Sequence, residues 1–402
     1  MNKDKSVQKL DKNKCLSCRA CENICPVNAI KMTETKEGFY FPEVEDCCIN
    51  CGSCAMHCPV LSPVEIGTFQ KEAYAVRLND MEKLSQSASG GAFSGFAYKI
   101  LEKEGVVFGV SYDEDLNANV ISVNNKINLE CLKGSKYVEG NPQDSYKQVK
   151  DLLKLGKKVL YSGSPCRVAA LRKYLGKDEE NLYTIDIICH GVPSQKLFNK
   201  YLKWLGKKNG GKIIYYGFRD KDVGGWSCGG KAKTKTKTKT KTKTIDALSD
   251  PYYYSFLKGQ TYRESCYSCP FANVENRPGD ITVGDYWGID KFLPQFEYKK
   301  GVSCLILNTQ KGKDFWDEVK NSFDFLPTKI QDIQQENGNL SHPTFRPQIR
   351  DSIYKDVDIE NLNKYFMNFK VDKNIKRRLR AFISTHLSEK MKQRIKKILG
   401  RT

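Results

Sequence analysis

The stretches KVLYSGSPCRVAALRKYL (158–175) and LYTIDIICHGVPSQKLF (182–198) carry the pattern that decides the fold. Each opens with a short apolar run rich in β-branched and aromatic residues. Each then crosses a corner containing Gly or Pro and continues with apolar residues at helical spacing. The first predicts a strand over 158–162 and a helix over 165–175; the second predicts a strand over 182–189 and a helix over 194–207. Working outward, 73–78 and 106–112 read as strands, and 91–103 and 144–154 as helices. Strands alternating with helices of about 10–15 residues argue for an α/β domain with a partly parallel sheet. No Gly/Ser-rich or Pro-rich linker interrupts 73–350, so that span is expected to form one large unit.

The 402 residues suit about two to three domains and are ample for a sizeable core. With 40% hydrophobic and 28% charged residues, the composition excludes disordered, collagen-like and membrane-spanning classes. No apolar run approaches the roughly 18 residues of a spanning helix, and the start MNKDKSVQKLDKNKC lacks an apolar signal region. A cytoplasmic protein is expected. The net charge of +19 is local: the tract 231–244 holds seven Lys and no acid, and the tail 370–402 holds twelve basic and two acidic residues. The rest of the chain is nearly neutral, which argues against a nucleic-acid-binding core.

Nine of the 16 cysteines fall between Cys15 and Cys58, and in a reducing compartment such clusters hold metal more often than disulfides. The region 1–63 has too few apolar residues to fold unaided, and metal centres would supply the missing stability. CLSCRACENICPVNAI sets Cys15, Cys18, Cys21 and Cys25 at Cys-x2-Cys-x2-Cys-x3-Cys-Pro spacing, and CINCGSCAMHCPV repeats it with Cys48, Cys51, Cys54 and Cys58. Three cysteines two residues apart wrap three iron corners of one 4Fe-4S cubane, while the fourth is carried to the other cluster. The expected ligand sets are therefore Cys15, Cys18, Cys21 and Cys58 for one cluster, and Cys48, Cys51, Cys54 and Cys25 for the other. Zinc knuckles are the alternative, but they pair Cys-x2-Cys across a longer spacer. The segment resembles the bacterial two-cluster ferredoxin domain, which implies a small α+β unit in front of the α/β domain. Cys47 is surplus to both sets.

Cys166 and Cys189 each lie where a predicted strand gives way to a helix, hence on one carboxyl edge of a parallel sheet, where such folds build their crevices. CYSCPF adds Cys266 and Cys269, completing a four-thiolate set for a third 4Fe-4S cluster; the alternative is two core cysteines plus a redox pair. GSPCRVAAL, IDIICHGVPS, CYSCPF and GDITVGDYWG, with SASGGAFS and KGSKYV upstream, resemble the coenzyme F420 hydrogenase/dehydrogenase beta-subunit family over roughly residues 1–345. The resemblance splits the large unit at roughly 73–155 and 156–350. It implies a flavin, FAD with FMN as the alternative, bound beside a 4Fe-4S cluster. Ser87, Ser89, Gly90 and Gly91 precede a helix and suit a pyrophosphate through exposed N–H groups. Lys136 and Asp285 are further candidates for the flavin crevice. His190, next to Cys189, is a candidate proton donor, although a lone His is more often structural. Cys131, Cys228 and Cys304 read as ordinary cysteines.

These features form a chain for single electrons ending at a two-electron carrier. The expected protein is an iron–sulfur flavoprotein oxidoreductase. Its partners would be a ferredoxin-like or other redox protein and a small organic or coenzyme substrate, with a deazaflavin permitted, in an anaerobic setting. The alternative is a non-catalytic electron-transfer subunit of a larger redox complex. Over 371–402 apolar residues from Ile375 to Leu399 form one helical stripe among Lys and Arg. Self-packing, peripheral membrane contact or partner docking are the expected roles of that basic amphipathic helix. The Lys–Thr tract reads as a solvated, partly disordered extension, with a hairpin arm as the alternative.

Overall fold

The computed structural model describes residues 5–367 apart from 224, 227 and 228, together with 369, 371–374 and 379. The basic helix expected over 371–402 lies almost wholly outside the described residues. The N-terminal segment is a two-stranded antiparallel ribbon of β1 (Ile30–Glu34) and β2 (Tyr40–Val44) with two short helices, Ala20–Ile24 and Ser53–Met56. Its own buried cluster is Val7, Cys21, Ile30, Cys54 and Cys58. Three of those five are cysteines, so the apolar core alone is too small to hold the segment.

The large domain is built on eight strands: β3 (Glu72–Leu78), β4 (Val106–Tyr112), β5 (Ala118–Val123), β6 (Val159–Gly163), β7 (Leu182–Ile187), β11 (Ile281–Asp285), β12 (Ser303–Leu307) and β13 (Phe323–Thr328). A separate sheet takes β8 (Lys212–Gly217), β9 (Gly229–Lys235) and β10 (Thr240–Asp246). The eight-stranded order is β13-β3-β12-β11-β7-β6-β4-β5. The inner four, β11-β7-β6-β4, are parallel, and antiparallel strands flank them on both sides. The partly parallel α/β architecture is thus present.

Alternation along the strands makes the layers. In β6, Leu160 packs with helices Ala92–Glu102 and Gln310–Val319 on one face. Val159 and Tyr161 pack with helices Ser145–Lys154 and Pro165–Leu175 on the other. Leu16, Cys18 and Ala20 of the N-terminal segment join that second cluster, so one cysteine loop is seated on the large domain. A third cluster, rich in aromatics such as Phe198, Tyr201, Tyr216 and Tyr252, joins helix Gln195–Asn209 to the small sheet.

The Lys–Thr tract departs from the expected solvated extension: it forms the β9–β10 hairpin. Seven lysines on one face would repel, but the register prevents this. Lys233 lies opposite Thr242 and Lys241 opposite Thr234, so the two strands present their lysines to opposite faces. Thr234 is buried and receives a hydrogen bond from Asn209 Nδ2 at 3.2 Å, which pins the hairpin to its neighbouring helix. No helix among the described residues is long and apolar enough to cross a membrane.

Candidate functional site

The two cysteine motifs fold alike. Ser17 and Asn50, each two residues after the first cysteine of its motif, adopt left-handed backbone, as do Arg19 and Gly52 at the starts of the two short helices. These turns aim the intervening N–H groups at sulfur: Ser17 N donates to Cys15 Sγ at 3.4 Å and Asn50 N to Cys48 Sγ at 3.4 Å. Ala29 N to Cys25 Sγ (3.2 Å) and Val7 N to Cys54 Sγ (3.4 Å) complete the set. Such N–H···S bonds suit thiolates that carry charge shared with a cluster.

Two recesses result. One is lined by Cys15, Cys18, Cys21 and Cys58; the other by Cys25, Cys48, Cys51 and Cys54. The chain therefore brings together one late cysteine from each motif with three from the other. Among the described residues no three His, Cys, Asp or Glu side chains converge tightly enough for a single metal ion. A cubane takes four thiolates at four corners, and each recess presents four cysteines.

The recesses differ in setting. All four cysteines of the first are buried, whereas Cys51 of the second is exposed and Cys25 and Cys48 are half-buried. Ile49 and Met56, beside the second, are each 60% exposed. We refer to them as the inner and outer sites. Burial pushes the Cys18 thiol up to about 12 and raises Cys15 and Cys21, so metal binding at the inner site must expel protons held there.

Cys166 sits in the first turn of helix Pro165–Leu175, immediately beyond β6; Cys189 follows β7; Cys266 lies on the short turn Glu264–Ser268, with Cys269 after it. Because β6 and β7 are parallel, the first two share the carboxyl edge. Burial raises the thiols of Cys189 (to about 12), Cys266 and Cys269 (to about 11), and the four act on one another electrostatically. Arg277 fastens the loop that carries Cys266 and Cys269: it pairs with the fully buried Asp186 of β7 and donates to Phe271 O (2.9 Å) and Ile187 O (2.6 Å). Arg277 was not singled out from sequence; its place in RPGD, a few residues beyond CYSCPF, is the one local signal that could have marked it.

The other predicted residues fall on the same edge or beside it. Asp285 ends β11 and is held by Arg219 (2.8 and 3.1 Å) and by Trp226 Nε1 (2.7 Å). Trp226 stacks on Trp287 with ring centroids 5.0 Å apart, and Arg219 lies over Trp287. His190 is exposed next to Cys189, its carbonyl accepting from Thr344 Oγ1 at 2.9 Å. Lys136 is turned into its own loop, donating to Lys133 O (2.7 Å) and Cys131 O (3.0 Å), and burial lowers its amine to about 8.

The Ser87–Gly91 segment is more committed than its sequence suggests. Ser87 Oγ donates to Lys83 O, Ser89 Oγ to Val302 O, and Gly90 N to Ser303 Oγ. A Cβ at Gly90 would meet Val76 O at 2.2 Å and Ser303 N at 2.4 Å, so glycine is required there by close approach to β3 and β12. The donors that suit an anion are instead those of the first turn of Ala92–Glu102, whose N-cap Gly91 supplies no side-chain cap. Lys221 and Arg219 stand against the same loop, bonding Ser89 O (2.7 Å) and Ala88 O (3.2 Å). Burial, with Arg219 nearby, lowers the Lys221 amine to about 8, and an anion would relieve that cost. An uncapped helix start beside two cations fits a phosphate group. Arg219, Lys221 and the tryptophan pair were not singled out from sequence.

Comparison with known proteins follows the same division. Residues 156–331 match the family described as the C terminus of the Coenzyme F420 hydrogenase/dehydrogenase beta chain, and residues 14–61 match the 4Fe-4S dicluster domain. An uncharacterized ferredoxin of Methanocaldococcus jannaschii is 34% identical over 50 residues, which is 12% of this chain and 65% of that protein. The chain thus spans slightly less than two thirds of that relative. A chain of the F420-reducing NiFe hydrogenase complex of Methanosarcina barkeri aligns at 15% identity with TM-score 0.44, covering 73% of this chain and 94% of the other.

Proposed function

From a chain that joins a 4Fe-4S dicluster domain to the C-terminal part of a coenzyme F420 hydrogenase/dehydrogenase beta subunit, we propose an iron–sulfur oxidoreductase. In this reading the outer site would face a redox partner protein, the inner site and the Cys166–Cys189–Cys266–Cys269 site would hold the clusters between it and the sheet, and an organic or coenzyme substrate would bind at the carboxyl edge. The observation that carries it is the seating of the inner cysteine loop on the helix turn that bears Cys166: Arg167, the next residue, donates to Ser17 O at 2.6 Å. Electron transfer needs such fixed proximity.

Each part of the chain has a separate task in this reading. The twelve cysteines would hold three clusters, and Tyr146 Oη, donating to Cys18 O at 3.0 Å, keeps the inner loop in place. The Arg277–Asp186 pair holds the third set together. A flavin would bind with its phosphates at the start of helix Ala92–Glu102, held by Lys221 and Arg219. When bound, the clusters supply single-electron transfer and the flavin supplies exchange of two. Asp285 orients Arg219 and Trp226 at the crevice, and the His190 imidazole beside Cys189, which desolvation holds below its ordinary pKa and so keeps neutral, would serve there as a proton acceptor.

Anaerobic purification with iron, sulfide and flavin determination tests this. The expected content is about 12 iron per chain, at four per cluster, with one flavin. A Cys266→Ser/Cys269→Ser variant should fall to about eight iron. Eight iron in both proteins would remove the third cluster. Wild-type protein without flavin after mild purification and added FAD would favour the second reading, an electron-transfer subunit whose substrate chemistry lies in a partner. The internal pairing of Asp285, Ser89 and Gly90 is what speaks for that alternative.

A further inference from the structure

Three charged residues occupy the contact between the inner site and the third cysteine set, and none is used by the reading above as more than a fastening. Arg167, buried, donates to Leu16 O and Ser17 O of the inner loop (3.4 and 2.6 Å), to Gly140 O (3.0 Å) and to Glu139 Oε1 (3.0 Å). Glu139, also buried, gives its other oxygen to Arg263. The Arg263 guanidinium lies over the Phe39 ring of the dicluster segment at 4.5 Å, and its Nη1 has no hydrogen-bond partner among the described residues.

Each member is also attached to a segment that carries a third-set cysteine. Arg167 follows Cys166 directly. Arg263 precedes the turn holding Cys266, whose N–H donates to the Arg263 carbonyl at 3.0 Å, and Arg263 N donates to Val192 O at 2.9 Å, just after Cys189. Glu139 N donates to the neighbouring Pro193 O at 3.0 Å. A buried triad of two arginines and one carboxylate carries a surplus positive charge in a poorly solvated place. Burying such a triad is often less stabilising than apolar residues of similar volume would be, so stability alone does not account for it.

We propose that Arg167, Glu139 and Arg263 are positioning residues that fix the inner site against the third site and raise the electron affinity of both relative to the outer site. This rests on the reading that both sites hold clusters. Each reduction places an electron near the triad, and the surplus positive charge favours the reduced form. Screening is weak in a buried contact, so the effect is felt at both neighbouring sites and fades toward the outer one.

The test is a redox titration of the full cluster-loaded chain followed by electron paramagnetic resonance. Arg263→Met and Arg167→Met remove positive charge and should lower the potentials of the inner and third sites. Glu139→Gln, nearly isosteric, should raise both, and Arg263→Lys should restore values near wild type. A tenfold redistribution of one electron between the outer site and these two, equivalent to about 59 mV, is the expected size. Unmoved potentials, or shifts of the same sign in Arg263→Met and Glu139→Gln with about 12 iron retained, would overturn the inference and leave the triad a fastening. A wild-type protein with two cluster signals and eight iron would overturn the reading beneath it. Should Arg167→Met lose iron, the Glu139→Gln and Arg263→Lys pair decides the question.

Discussion

The inner and outer sites are built from one motif written twice and end in different worlds. Cysteines 15, 18 and 21 correspond to 48, 51 and 54, each motif lends its last cysteine to the other, and both loops turn through left-handed backbone at matching positions. The inner loop is then covered by the large domain, its carbonyls taken by Tyr146 and Arg167. The outer loop meets solvent, with Cys51, Ile49 and Met56 exposed. Even the turn residues follow the division. At the outer helix start the left-handed residue is Gly52, which adopts that backbone without cost. At the inner start it is Arg19, whose strain of about 1 kcal/mol is offset by contacts with Glu22 and the Tyr40 ring. Spacing fixes what a site can ligate, and surroundings fix what it exchanges electrons with.

The largest expected effect tests the exchange of cysteines between motifs. Cys58→Ala should abolish the inner cluster and Cys25→Ala the outer one, each removing about four of 12 iron. If Cys58→Ala instead removed the outer resonance, identified by its sensitivity to added relaxation agents in solution, each motif would ligate its own cluster. The Cys58 variant should also loosen the domain contact, seen as faster amide exchange over 15–21.

Next in size is a kinetic difference. Under limiting oxidant the outer cluster should be lost at least about tenfold faster than the inner, since reactivity of thiolate ligands follows their exposure. Iron release followed by cysteine mapping should find Cys48 and Cys51 modified first. Equal loss from both sites would mean that the large domain gives the inner site no protection.

Both sites could be read in the sequence because ligand spacing is local, and the same holds for most strands and helices between 73 and 209, although β5 and the short helix Met81–Ser85 were not read. The alternation around Cys166 and Cys189 likewise foretold their shared edge. What escaped was non-local. Nothing in SPCR says that Arg167 reaches the carbonyl of Ser17, 150 residues earlier, or that Glu139 waits between two arginines. The insertion of β3 between β12 and β13 depends on pairings more than 200 residues apart. The Lys–Thr tract shows the finer limit: its composition suggested repulsion, and only the odd register of the hairpin separates the charges. At Ser87–Gly91 the glycine signal was real, but it marked a close backbone approach at Gly90.

A smaller effect should separate the two loops energetically. Tyr146→Phe removes the hydroxyl that bonds Cys18 O and should cost about 1 kcal/mol, the usual net value of one such bond. Urea denaturation of the cluster-loaded protein measures it. The same variant should leave the outer resonance unchanged while broadening the inner one. A null result in both would place the inner loop's hold entirely on Arg167.

The smallest effect concerns the outer rim. Ile49 and Met56 bury little, so Ile49→Ser/Met56→Ser should change stability by less than about 0.5 kcal/mol. If they are the apolar part of the face where a redox partner docks, the same double variant should slow reduction by a reduced ferredoxin about two- to fivefold, the size expected when peripheral contacts rather than a central anchor are lost. Reduction by dithionite, which needs no docking face, should be unaffected, and so should electron passage from outer to inner site once the outer is reduced. Stopped-flow traces with both reductants separate the cases. Equal slowing by both would show that the substitutions disturbed the cluster itself, and no slowing with ferredoxin would move the entry point elsewhere. Only slowing with the protein reductant alone keeps the outer site as the side from which electrons arrive.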